Sequence, residues 1–94
     1  MLSDTKTSLR KVDREQVLVV VKSIVAEHST VSAEKIREEH HLENDLGCDS
    51  LDTVDISMEI EDHFDVSIPD DELSERGMNV GAIVDGVLRL LEHR

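Results

Sequence analysis

Asp49-Ser50-Leu51-Asp52-Thr53-Val54-Asp55-Ile56-Ser57-Met58-Glu59-Ile60-Glu61-Asp62-His63-Phe64 is the stretch on which the reading of this chain turns. Its apolar residues recur at helical rather than alternating spacing, and acids fill the places between them. A helix is expected from Asp49 or Ser50 to about His63, with Leu51, Val54, Met58 and Phe64 on one broad face and Ile60 nearby. Gly47 precedes it and can take a backbone conformation that other residues avoid. Pro69 follows and blocks continuation, because its ring fixes φ and it has no amide hydrogen to donate.

The same helix type extends in both directions. Asp13-Arg14-Glu15-Gln16 has the form of a helix start, with Asp13 as cap and Gln16 three residues on, as in a capping box. Val17, Val20, Val21, Ile24 and Val25 then lie on one stripe, so a helix is expected over about 13–28. A long connection covers 29–49, pinned by Val31, Ile36, Leu42 and Leu46, with one short turn at Ser32-Ala33-Glu34-Lys35. Asp70–Glu75 fits a short third helix behind Pro69. Asn79 caps a fourth, whose stripe is Val80, Ile83, Val84, Val87, Leu88 and Leu91. Gly81 and Gly86 inside it suggest close packing, and Arg89, His93 and Arg94 suit its negative C-terminal end. The expected fold is all-α: a small four-helix bundle of three main helices and one short one, with a long first loop. Residues 1–12 form an N-terminal arm and 13–94 one domain.

Charge is sharply segregated. The chain carries 22 acidic and 10 basic side chains in 94 residues, a formal net charge of −12. Residues 1–42 are neutral in sum, residues 43–75 hold thirteen acids and no Lys or Arg, and residues 76–94 contribute +1. A face kept charged only for solubility tolerates interspersed bases, which relieve self-repulsion. Their absence points to a surface held negative for a basic partner. Nucleic acid is excluded as that partner, because phosphate neutralisation needs clustered Lys and Arg. No apolar run approaches the ~20 residues of a membrane helix. The start of the chain lacks the pattern of a secretory signal, and the single Cys48 permits no internal disulfide, so a cytoplasmic protein is expected. With Phe64 the one aromatic residue, the core must be aliphatic.

Asp49 can serve as the helix cap, which leaves the hydroxyl of Ser50 free in the first turn, facing solvent. Unpaired amides and the positive end of the helix dipole would stabilise a phosphate ester there. Asp45-Leu46-Gly47-Cys48-Asp49-Ser50-Leu51-Asp52-Thr53-Val54 resembles the prosthetic-group attachment motif of acyl carrier proteins. The similarity runs on through Met58–Phe64 to Ile68-Pro69-Asp70-Asp71-Glu72 and spans about residues 13–92. The resemblance implies that Ser50 bears 4′-phosphopantetheine, attached as a phosphodiester by a separate transferase that uses coenzyme A. It further implies that Asp49 assists that transferase and its metal. The protein then carries acyl groups as thioesters and is not itself an enzyme. Helix 49–63 becomes the docking face: Asp52, Asp55, Glu59, Glu61 and Asp62 meet basic patches on the transferase and on acyl-processing enzymes, and Leu51, Val54 and Met58 add apolar contacts. For Val54 and Met58, core packing is an equal alternative. The expected carrier is a monomer serving fatty-acid, polyketide or specialised lipid synthesis.

Some features depart from the common fatty-acid pattern. Ser57 and Glu59 stand where small or apolar residues are usual, the chain between Pro69 and Val80 is one residue longer, and Gly86 replaces a larger side chain. They leave the pathway open. Other readings stay on the table: an acidic adaptor without a prosthetic group, or a carrier of aminoacyl or aryl cargo. Cys48 as a nucleophile finds no Cys-His spacing to support it. Neighbouring His40 and His41 make a poor metal pair, the acidic pairs Asp49/Asp52 and Asp70/Asp71 attract only loose counterions, and no metal site is expected.

Overall fold

In the computed structural model, which describes residues 13–68 and 79–92, the first helix α1 runs Arg14–Glu27. Asp13 occupies its N-cap position in an extended conformation, but the expected capping box does not form. The Asp13 side chain makes no cap hydrogen bond. Its main-chain carbonyl accepts from Gln16 N at 3.1 Å and Val17 N at 3.2 Å, the ordinary entry into a helix, and its carboxylate stays in water. Val17, Val21, Ile24 and Val25 are buried and Val20 half-buried, so the stripe read from spacing is the inward face.

Helix α2 spans Ser50–Phe64 and helix α3 spans Val80–Glu92. A 3-10 turn at Ala33–Lys35 stands where one short turn was expected. The short helix over 70–75 and the arm at 1–12 lie outside the described residues. Val80, Gly81, Ile83, Val84 and Val87 of α3 are buried, while Leu88 and Leu91 pack partly buried at the rim. Of the four loop pins, Ile36, Leu42 and Leu46 are buried almost completely and Val31 is partly buried against the same core. Each fully buried Val, Ile or Leu contributes ~1.5–3 kcal/mol relative to exposure, so these pins hold the long connection in place without regular structure of its own.

The connection also supplies polar ties. His40 O accepts from Val80 N at 3.0 Å and Glu38 O from Gly81 N at 2.9 Å, which satisfies amides that the start of α3 would otherwise leave bare. Asn79 adds the expected side-chain cap, its Oδ1 accepting from Ala82 N at 2.8 Å. Gly81 makes this approach close: a Cβ there would meet the Glu38 carboxylate at 3.0 Å and its Cβ at 3.3 Å, so Glu38 would have to give way. Arg14 of α1 locks the arrangement, forking onto both Glu38 oxygens at 2.8 and 2.9 Å and reaching Asp85 of α3 at 3.0–3.1 Å. The paired guanidinium holds the Glu38 carboxyl below its ordinary value.

Helix α2 is inserted differently. Only Ile56 and Ile60 are buried, with Phe64 half-buried against the same core. Leu51 is exposed, and of the two alternatives left open for Val54 and Met58 the outward one holds, while the inward pair is Ile56 and Ile60, four residues apart on the opposite side of the helix.

Candidate functional site

The end of the connection is tied down just before Ser50. Ser29 Oγ donates to Leu46 O at 2.7 Å, Cys48 N donates to Leu42 O at 2.9 Å, and His41 N donates to Asp45 Oδ2 at 2.7 Å. Gly47 takes φ +74°, the left-handed region expected for it, and the space beside it is open. Cys48 turns inward and is buried, its thiol donating to His28 O at 3.6 Å. Burial first, then the charges of Asp52, Asp49 and Glu43, push the thiol pKa up. A protonated, enclosed thiol is no nucleophile, so Cys48 serves as filling.

Helix α2 begins with a reciprocal cap. Asp49 Oδ1 accepts from Asp52 N at 2.9 Å, and Asp52 Oδ2 accepts from Asp49 N at 3.0 Å. Thr53 Oγ1 closes the turn on Asp49 O at 3.1 Å. Two carboxylates therefore do the capping, and Ser50, the first residue of the helix, keeps an exposed hydroxyl with no hydrogen-bond partner among the described residues. That chemistry fits a phosphodiester. The oxygen is accessible, and removing its proton for an ester bond breaks no interaction that the fold needs. A phosphate there would sit at the end of a fifteen-residue helix, where first-turn amides and the dipole favour an anion.

Down the outer side of α2 runs an apolar stripe, Leu51 74%, Val54 53% and Met58 54% exposed. These are three of the four large apolar side chains exposed among the described residues, the fourth being Val19 on α1. The acids around the stripe fall into two groups. Asp55 and Asp62 are exposed and unpaired among the described residues. Asp52, Glu59 and Glu61 have structural work: Asp52 in the cap, Glu61 Oε2 accepting from Ile68 N at 2.6 Å, and Glu59 Oε2 against His28 Nε2 at 2.7 Å. His28 Nδ1 lies 3.8 Å from Asp52 Oδ1. The Glu59 hydrogen bond, opposed by burial, raises the His28 pKa above its ordinary value, with Asp52 and Asp55 assisting through space.

The expected site residues thus gather on one helix, with Asp49 and Ser50 at its tip and the docking residues along its length. His28 was missed by the sequence reading, since its partners Glu59 and Asp52 are met only through tertiary apposition. His40 and His41 each accept a local amide at Nδ1, from Arg37 N at 3.0 Å and Asn44 N at 3.3 Å.

A family model described as the phosphopantetheine attachment site matches residues 19–87. Among solved structures, the acyl carrier protein of Enterococcus faecalis, described for its high thermal stability, superposes with a TM-score of 0.70 at 30% sequence identity. The match covers 82% of this chain and 96% of that one.

Proposed function

This chain belongs to the acyl carrier protein family, and on that premise we propose that Ser50 is its attachment point and α2 the face it offers to enzymes. A family carrier of this kind holds 4′-phosphopantetheine covalently, serves acyl-processing enzymes and is not an enzyme itself. When bound, the arm supplies a terminal thiol that holds the acyl group as a thioester. What the chain's own residues do follows from their positions. Asp49 and Asp52 cap each other and so free the Ser50 hydroxyl for modification. Gly47 takes the left-handed turn that leads the connection into the helix start. Leu51, Val54 and Met58 provide apolar area for a docked enzyme, and Asp55 and Asp62, unpaired among the described residues, attract its basic side chains.

The observation that carries this reading is the exposed Ser50 hydroxyl, without a hydrogen-bond partner among the described residues, at the tip of a helix whose cap is already complete. The finer assignment, to acyl intermediates of fatty-acid, polyketide or specialised lipid synthesis, is supported by a core of aliphatic side chains suited to an alkyl chain, and the single free Cys48 agrees with the cytoplasm. The test is incubation of the full chain with coenzyme A and a promiscuous phosphopantetheinyl transferase. One phosphopantetheine should be added, and Ser50→Ala should abolish the mass gain while leaving the helical circular dichroism unchanged. An unmodified wild-type chain, beside a control carrier that reacts, would overturn the assignment.

A further inference from the structure

The side chains of Glu27, His28 and Glu59 make no contact with Ser50 among the described residues, and a ligand atom from each lies within 4.8 Å of the others, where the end of α1 meets the middle of α2. Two elements supply them. Glu27 is the last residue of α1, and His28 is its C-cap, with φ −109° and ψ 10°. Leaving the helix at that point lets two chain neighbours converge that would otherwise diverge. Glu59 reaches across from α2 to His28 Nε2 at 2.7 Å. The imidazole is enclosed to 18% side-chain exposure, with Asp52 3.8 Å from its other nitrogen. Among the described residues no Lys or Arg pairs with Glu27, Asp52 or Glu59, so no fixed side-chain cation of that kind meets their charge.

The donor set decides which ion fits. A carboxylate-only cluster such as Asp49/Asp52 attracts Mg²⁺ or Ca²⁺ loosely, and here both its carboxylates already accept from backbone amides. An imidazole with two carboxylates is a set preferred by zinc-class ions. We propose that Glu27, His28 and Glu59 form a site for one Zn²⁺ ion that bridges α1 and α2. The metal takes the place of the hydrogen shared by His28 and Glu59, and the released proton goes to solvent. Tetrahedral ligands around Zn²⁺ stand roughly 3.3 Å apart, so the 2.7 Å His28–Glu59 contact would open slightly and the exposed Glu27 would close in from within 4.8 Å. Asp52 beside Nδ1 favours the tautomer that leaves Nε2 free to coordinate. Bound metal would cancel charge on the docking helix and fasten it to α1. This site does not depend on which serine carries the arm.

Calorimetric titration of the untagged full chain with Zn²⁺, in millimolar Mg²⁺ to occupy carboxylate-only sites, tests the proposal. One Zn²⁺ per chain is expected, weakened by at least ~10-fold in His28→Gln and measurably in Glu27→Gln. Co²⁺ in place of Zn²⁺ should give the visible absorption of a tetrahedral ion. Zn²⁺ binding that is absent, displaced by Mg²⁺, or unchanged in His28→Gln overturns it. Should His28→Gln lose its helical signal, Glu27→Gln decides, because Glu27 is exposed and makes no hydrogen bond or ion pair with Lys or Arg among the described residues.

Discussion

The α1–α3 side of the molecule and helix α2 solve opposite problems with the same aliphatic alphabet. Between α1 and α3 the side chains interlock: four residues of α1 and five of α3 are buried, Gly81 lets the connection pass close, and Arg14 ties three segments together. Helix α2 buries only two residues and shows three large apolar ones to solvent. The first region is built to stay together. The second is held by two isoleucines, a capped start and one histidine contact, which leaves most of its surface for others. A carrier that must meet many enzymes through one face is served by that division.

The sharpest break in this comparison comes from truncating one residue of each kind. Ile56→Ala, at the root of α2, should cost about 2–5 kcal/mol in urea unfolding, because it removes a fully enclosed side chain from the core. A cost below ~1 kcal/mol would mean that α2 is scarcely anchored, and the division drawn here would fail. Gly81→Val attacks the other side. Its side chain would press on Glu38, and a loss of roughly 1–3 kcal/mol is expected from overpacking. A neutral result would show that the connection yields there, and the close passage would not matter.

Which parts of this division could be read before the structure depended on how many answers a pattern allowed. The α3 stripe from Val80 to Val87 has one inward face, and it was legible, as were the Asn79 cap and the Gly47 turn. In α2 the apolar residues 51, 54, 56, 58, 60 and 64 spread over more than one face. Spacing alone could not say that Ile56 and Ile60 turn in while Val54 and Met58 turn out; the position of α1 decides that. Asp13 was misjudged because its backbone carbonyl, rather than its side chain, receives the first-turn amides. Contacts across 31 residues, such as His28 with Glu59, leave no local trace.

Smaller effects sharpen the picture. The His28 contact ties the two regions, and its folded-state pKa is raised, so the protonated form is favoured by folding. In chelator-containing buffer its stabilisation should be fully present below the ordinary histidine value of about 6.5 and be lost as pH rises through the folded value. His28→Gln should flatten that part of the stability–pH curve; an unchanged curve would remove the contact from the account. At the bottom of the scale, Leu51→Ala should alter stability by less than about 0.5 kcal/mol while weakening transfer to a partner enzyme. A large stability loss there would place Leu51 in the core after all.

Nine serines lie along the chain, and only one of them is claimed as the point of attachment. Fragmentation mass spectrometry of the loaded, full-length protein distinguishes them. The account predicts a single phosphopantetheine on the fragment holding Asp49-Ser50-Leu51 and on no other. The same mass found on any other serine would contradict it.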